Sequence, residues 1–153
     1  MIETGVVFDK VGNPLFWHEP PGRSGGSIPD SNDLWEFLWE HREVVAGVAH
    51  SHPGSGVPHP SQTDVQTFSA VERALGKRLL WPIVTSQQTR FFKASGEGMF
   101  DYVEERHPPH IEPRVFLILI RELRRRSNVR AIPHLPRARL QKLKDCCVSF
   151  INS

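Results

Sequence analysis

The sequence predicts an α/β fold, a three-layer α-β-α sandwich with a mixed central sheet. Short runs rich in β-branched residues alternate along the chain with segments whose apolar residues recur at helical spacing, and turn sequences join some of the runs into hairpins. The length of 153 residues suits a single domain, and a hydrophobic content of 39% is enough for one core.

The N-terminal part predicts a hairpin, a loop and a helix. Residues 2–8 form the first predicted strand and residues 15–18 its partner, with a Gly-Asn-Pro turn between them. A loop rich in glycine and proline follows over residues 20–27. Capping residues at 31–33 then begin a helix with an apolar stripe and a solvated acidic face. The stripe is Leu34, Trp35, Leu38 and Trp39, and the acidic residues are Glu36, Glu40 and Glu43.

The next stretch predicts a buried strand that ends in two histidines. Residues 44–49 are an unbroken apolar run, which is typical of a strand buried on both faces, and they lead directly into His50 and His52. Alternate side chains of an extended chain point the same way, so both imidazoles face one side and can bind one ion. Pro53 ends the strand, and residues 54–60 form a loop rich in glycine and proline.

A helix is predicted from Ser61 to the residue before Gly76. Ser61 is a suitable N-cap, Asp64 gives the sequence the form of a capping box, and apolar residues follow at helical spacing. Two histidines at a strand end and a carboxylate at a helix start are three ligands, the open arrangement of a catalytic zinc. A closed structural zinc needs a fourth ligand, and the adjacent Cys146 and Cys147 lie far along the chain.

Two short motifs contain these residues: His50-Ser51-His52-Pro53 and, after a seven-residue loop, Ser61-x-x-Asp64. Together they resemble the signature of the JAMM (JAB/MPN) metalloprotease family. The resemblance covers about residues 1–95 and implies a JAMM/MPN-like domain with cytidine-deaminase-like layering. It also implies that the two histidines and the aspartate bind Zn²⁺, that Ser61 supports the oxyanion, and that an upstream glutamate is the general base. The loop is one residue longer than the commonest form in the family.

Glu3 is the candidate for that glutamate. It lies at the start of the first predicted strand and is followed by small and aliphatic residues, which is similar to the arrangement in the family. Glu19 and Glu43 are also compatible with the role by their distance along the sequence. A general base must reach the water that it activates within hydrogen-bond distance, so the fold decides between the three.

A second hairpin is predicted after the motif helix. Residues 78–84 form a strand in which Pro82 marks an edge or a bulge, because proline cannot donate to the ladder. Residues 89–94 pair back on this strand across a short polar turn.

The C-terminal part differs from the rest in charge. The sequence HPPH at 107–110 separates a metalloprotease domain over 1–112 from a basic extension over 113–153, with a helix over 114–126. Residues 114–153 carry ten basic and two acidic residues, whereas the residues before them carry nine and fifteen. Such a tail can bind nucleic acid or an acidic partner, although basic runs more often pack on their own acidic domain.

Targeting signals are not expected. The chain shows no signal-peptide pattern, and its longest apolar run, residues 115–120, is far too short to span a membrane. Two adjacent cysteines favour a reducing compartment over a disulfide scaffold, so a cytoplasmic location is expected.

These patterns predict a zinc-dependent metallopeptidase. The resemblance implies that the substrate is an isopeptide or peptide bond after the C-terminus of a ubiquitin-like or sulfur-carrier-like protein. Two other functions stay open, a non-catalytic MPN-like scaffold and nucleic-acid binding through the basic tail. All three ligand residues are present, which favours the enzyme.

Overall fold

The structure, a computed structural model, describes residues 1–96, 100–106 and 111–128. These residues form a mixed six-stranded sheet and three helices, which confirms the predicted α/β class. The strands are β1 (Gly5–Asp9), β2 (Pro14–His18), β3 (Val45–Ser51), β4 (Trp81–Val84), β5 (Thr89–Ala94) and β6 (Tyr102–Glu105). The helices are α1 (Asn32–Glu40), α2 (Gln62–Leu75) and α3 (Pro113–Asn128).

One parallel crossover organises the sheet. Its strand order is β2-β1-β3-β4-β5-β6, and every neighbouring pair is antiparallel except β3 and β4. A parallel pair needs a long connection, and here α2 supplies it. The carboxyl end of β3 therefore leads through one loop into the first turn of α2.

Local signals fix the two ends of α2 where the sequence predicts them. Ser61 is the N-cap and forms a complete capping box with Asp64. Gly76 ends the helix in the left-handed conformation at φ 64°, which glycine adopts without steric cost. The N-cap of α1 is likewise Ser31, whose side chain accepts from the Leu34 N–H.

Two predictions about strands are wrong. Pro82 lies in β4, an interior strand between β3 and β5, and its register with β5 is regular, so it marks neither an edge nor a bulge. The sheet accommodates it because the parallel pairing is divided, with one bridge at Leu80 before the proline and a paired stretch from Ile83 after it. β1 begins at Gly5 and not at residue 2, because the Thr4 N–H bonds to a side-chain hydroxyl rather than to a backbone carbonyl.

Helix α1 follows the predicted pattern in part. Glu36 and Glu40 are exposed as expected and Leu38 is buried, but Glu43, predicted to lie on this helix, follows its end at Glu40. Trp39, predicted as part of the apolar stripe, is 55% exposed, and its ring lies 4.6 Å from the Arg42 guanidinium. The Arg42 guanidinium thus covers a face of the Trp39 ring that does not pack in the core.

The core consists of two clusters that share the sheet. Alternate residues of β1 belong to different clusters, with Val7 in the first and Val6 and Phe8 in the second. The first cluster receives buried residues of α1 and α2, and the second receives four residues of α3. Those four are Phe116, Leu119, Ile120 and Leu123.

Gly47 allows β3 to lie at the centre of this packing. A Cβ atom at that position would come within 2.3 Å of both the Leu80 carbonyl oxygen and the Phe8 ring. Any larger residue would have to displace backbone as well as a buried aromatic ring. The glycine therefore lets Phe8 lie directly on the strand that ends in the two histidines.

Some predictions concern residues outside the described part of the chain. They include the histidines at 107 and 110, the two cysteines, and the basic residues after 128. The division of the chain at residue 112 stays a prediction. Among the described residues, no helix is long and apolar enough to cross a membrane.

The packing of α3 gives a stability prediction. Leu123 is fully buried, whereas Leu117 on the same helix is 66% exposed. We expect Leu123→Ala to lower the free energy of unfolding by roughly 2–5 kcal/mol, because it removes buried apolar surface and leaves a cavity. Leu117→Ala is the matched control and should change it by less than about 0.5 kcal/mol. Urea unfolding measures both, and equal effects would show that α3 does not pack on the sheet as described.

Candidate metal centre

The β3-to-α2 crossover brings the three predicted ligands together. His50 lies near the carboxyl end of β3, His52 follows the strand end, and Asp64 lies in the first turn of α2. One nitrogen from each histidine and a carboxylate oxygen of Asp64 all lie within 4.8 Å of one another. Among the described residues, no other histidine, cysteine or acidic side chain joins this group.

The distances fit a single small ion. The Nε2 atoms of His50 and His52 are 2.9 Å apart. Asp64 Oδ1 lies 3.2 Å from His50 Nε2, and Asp64 Oδ2 lies 3.3 Å from His52 Nε2. Ligand atoms placed at about 2.0–2.1 Å around a tetrahedral ion are separated by about 3.3 Å. The three side chains can therefore hold a metal ion with little rearrangement.

The electrostatics of the group favour a positive charge. Burial acts to raise the pKa of Asp64, but hydrogen bonds with His50, His52 and Ser61 hold it far below its usual 3.8. Burial likewise acts to lower the pKa of His52, and the hydrogen bond and charge of Asp64, with the charge of Glu3, raise it above 6.5. An ionised carboxylate thus faces two imidazoles that either share protons or bind a cation.

Ser61 fixes the orientation of the carboxylate. Its backbone N–H and its hydroxyl each lie 2.6 Å from Asp64 Oδ2 and donate to it. In return, the Asp64 N–H donates to the Ser61 hydroxyl oxygen at 3.1 Å. The same reciprocal bonds that begin α2 therefore aim its carboxylate at the histidines.

Glu3 lies beside this group. It lies two residues before Gly5, which pairs with His50 in the antiparallel register of β1 and β3. The charges of all three ligand residues act on its carboxyl group. Burial raises the pKa of Glu3 above its usual 4.5, and no described residue donates a hydrogen bond to the carboxylate. The group is therefore free to accept a proton.

The other two candidate glutamates have different surroundings. Glu19 forms ion pairs with Arg126 at 3.2 Å and with Arg23 at 3.9 Å. The Glu43 side chain is 89% exposed and lies 3.7 Å from the Arg42 guanidinium. The carboxyl group of Glu3 is instead close enough to His50, His52 and Asp64 for their charges to act on it.

An aromatic ring that packs against the His50 imidazole was not predicted from the sequence. Phe68 contacts the imidazole edge-on, with ring centroids 6.0 Å apart, and stacks on Trp81 at 4.1 Å. The sequence identifies Phe68 only as an apolar residue of a helix. Its position one turn after Asp64 was the available signal, because residues four apart share a helix face.

The loop between the two halves of the motif is also held in place. Gly54 has φ 110°, and its carbonyl oxygen accepts from the Ser86 N–H at 3.0 Å and from the Ser86 hydroxyl at 2.9 Å. Pro58 in the same loop is buried. These contacts join the loop to the β4–β5 turn and to the core, so the seven residues connect β3 to α2 along a defined path.

No protein-family model matches the chain, and a search of the curated proteins found no match. The site is therefore characterised by its own geometry and by the chemistry of its side chains.

The geometry predicts that the group binds about one metal ion per chain, for which zinc is the probe. His52→Ala removes one donor of three, so we expect it to weaken zinc binding by more than the roughly 10- to 100-fold that loss of an outer-shell partner costs. His59→Ala is the matched control, because His59 is an exposed histidine of the adjoining loop. Elemental analysis and competition with a chelator measure stoichiometry and affinity. If His52→Ala binds zinc as tightly as His59→Ala does, the ligand assignment is wrong.

Proposed function

We propose that this protein is a zinc-dependent metallopeptidase of the JAMM type. The observation that carries the proposal is the set of donors from His50, His52 and Asp64, which leaves one side of an ion open, with Glu3 beside it. A catalytic zinc typically has three protein ligands and an open position. An ion with only a structural role would need a fourth protein donor, and the described residues supply none.

The donor types favour zinc over other common divalent ions. Two imidazole nitrogens and one carboxylate oxygen match the ligands of catalytic zinc. Magnesium and calcium prefer sites made entirely of oxygen atoms. When bound, zinc acts as a Lewis acid that polarises a carbonyl group and lowers the pKa of water.

The packing of the sheet supports the finer description of the fold. Alternate residues of β1 and β3 feed two separate clusters, one with α1 and α2 and the other with α3. This packing supports a three-layer α-β-α sandwich, which we propose as the architecture, with JAMM/MPN-like layering.

Glu3 acts as the general base in this proposal. Its carboxylate accepts a proton from the attacking water and returns it to the leaving amine. A base works best when its pKa lies near the working pH, and burial raises the pKa of Glu3 in that direction.

Ser61 stabilises the oxyanion in the same proposal. It is exposed at the start of α2, and its N–H holds Asp64 Oδ2 independently of its hydroxyl. The hydroxyl can therefore turn from Asp64 to the substrate carbonyl while the ligand stays in place. Hydrogen bonds to a developing oxyanion are among the largest contributions to catalysis.

The proposed substrate is the peptide or isopeptide bond after the C-terminus of a ubiquitin-like or sulfur-carrier-like protein. The support for this class is the resemblance of the His50–Asp64 motif to the JAMM signature, together with an exposed loop over residues 53–57 beside the site. We propose the cytoplasm as the place of action, because adjacent cysteines suit a reducing compartment. A non-catalytic scaffold would need neither a full set of ligands nor a base beside it, so the enzyme is preferred.

Glu3→Gln tests the assignment of the base. The substitution keeps size and shape but removes the basicity, so we expect normal zinc content and turnover reduced by roughly 100-fold or more. The substrate is a linear fusion in which a ubiquitin-like protein ending in glycine precedes a reporter, and the measurement is the rate of its cleavage.

Glu43→Gln and Glu19→Gln are the controls. Glu43 is exposed and Glu19 is engaged in ion pairs, and we expect both variants to keep their turnover. Loss of activity in either variant, with Glu3→Gln unaffected, would move the base. Absence of cleavage by the zinc-loaded parent protein on a panel of such fusions would contradict the proposed function.

A further inference from the structure

The residue between the two histidines belongs to a buried network on the opposite side of the sheet from them. Ser51 is 1% exposed, and its neighbours in this network, Thr4 and Ser127, are 0% exposed. Ser127 lies in the last turn of α3, 76 positions from Ser51 in sequence. The network therefore joins α3 to the strand end that bears the histidines.

Hydrogen bonds join the Thr4 amide to the hydroxyl groups of Ser51 and Ser127. The Thr4 N–H donates to Ser51 Oγ at 3.0 Å, and the Ser51 and Ser127 hydroxyl oxygens are 2.6 Å apart. Ser127 Oγ also lies 2.8 Å from the Leu123 carbonyl oxygen, which can only accept. The single proton of the Ser127 hydroxyl is thus shared between two acceptors, Ser51 Oγ and the Leu123 carbonyl oxygen, and Ser51 Oγ accepts from both Thr4 and Ser127.

The backbone of Ser127 makes a second connection to the same segment. Its carbonyl oxygen accepts from the Ile2 N–H at 2.8 Å. On the other side of Glu3, the Ser51 N–H donates to the Thr4 carbonyl oxygen at 3.0 Å. Both neighbours of Glu3 in the chain are therefore bound to Ser127, one directly and the other through Ser51.

Residues on either side of Ser127 hold the end of α3 on the sheet. The Arg124 Nε–H donates to the Thr85 carbonyl oxygen at 2.9 Å, just after β4. Arg126 pairs with Glu19 at 3.2 Å, and its guanidinium lies 4.2 Å from the Trp17 ring centroid. These contacts fix the last turn of α3 at the same end of the sheet as the metal centre.

We infer that Ser127 is a positioning residue for the metal centre, acting through Ser51 and Thr4 to set the place of Glu3 relative to His50 and His52. The catalytic consequence rests on the proposed function, in which Glu3 is the base. Ser127 contacts neither the histidines nor Glu3's carboxylate, so its influence passes through the backbone of residues 2–4. A residue from outside the metal motif thereby contributes to the geometry of the site.

Amide hydrogen exchange tests the positioning directly and without a substrate. In Ser127→Ala the Ser51 hydroxyl loses its fixed partner, so we expect the Thr4 amide to exchange about fivefold faster relative to the Val71 amide of α2, which reports global stability. Ser51→Ala removes the acceptor itself and should have an equal or larger effect. Combining Ser127→Ala with Ser51→Ala should not increase the exchange rate of the Thr4 amide further, because both residues belong to the same set of hydrogen bonds.

Ser69→Ala is the matched control, since Ser69 is also a buried helical serine, 6% exposed. It should leave the ratio of Thr4 to Val71 exchange unchanged. An unchanged ratio in Ser127→Ala, or additive effects in the double variant, would overturn the proposal. If Ser127→Ala does not fold, Ser51→Ala alone tests the proposal. An unchanged exchange rate of the Thr4 amide in Ser51→Ala would show that the hydrogen bonds do not hold this segment.

Turnover measurements separate this proposal from the proposed function. We expect Ser127→Ala to keep its zinc and its KM on the ubiquitin-like fusion while kcat falls about tenfold, because a displaced base affects the chemical step. A fall in thermal stability with kcat unchanged would show that Ser127 is only structural. If the parent protein cleaves no fusion, the function fails, and the exchange ratios still decide whether Ser127 positions the segment.

Discussion

The structure of the site depends on one partly buried interaction, the contact of the Asp64 carboxylate with the imidazoles of His50 and His52. An ionised carboxylate that is partly withdrawn from water is stabilised by hydrogen bonds or a cation, and here its oxygens lie 3.2 and 3.3 Å from the two imidazole nitrogens. The two Nε2 atoms also approach each other to 2.9 Å, which is favourable only if a proton or a metal ion lies between them. The group is therefore organised to receive positive charge.

The rest of the fold keeps these three side chains in place. The parallel pairing of β3 with β4 requires the α2 crossover, and that crossover carries Asp64 back to the end of the strand. The capping box that starts α2 also orients the carboxylate, so the same hydrogen bonds cap the helix and place the ligand. On the other side of the sheet, α3 packs on the same strands and reaches the Ser51 hydroxyl. Both sides of β3 thus contribute to the geometry of its final residues.

Sequence alone predicted the features that local chemistry determines. The bounds of α2 follow from Ser61 and Gly76, and β3 follows from an apolar run that ends at a proline, because each signal lies within the element itself. The features that it missed depend on contacts between distant parts of the chain. β6 is a four-residue strand with two acidic residues that forms only because β5 is there to pair with it. The Thr4 N–H bonds to the Ser51 hydroxyl in place of a backbone carbonyl, which no local pattern reveals.

The proposed metal centre holds one ion between β3 and α2 and leaves a position open for chemistry. Anomalous diffraction at the zinc edge from crystals of the zinc-loaded protein tests this most directly. We expect a single peak at about 2.0–2.2 Å from His50 Nε2, His52 Nε2 and an Asp64 oxygen, with the fourth position not filled by a protein side chain. A peak elsewhere on the chain, or a fourth protein ligand that closes the tetrahedron, would contradict it.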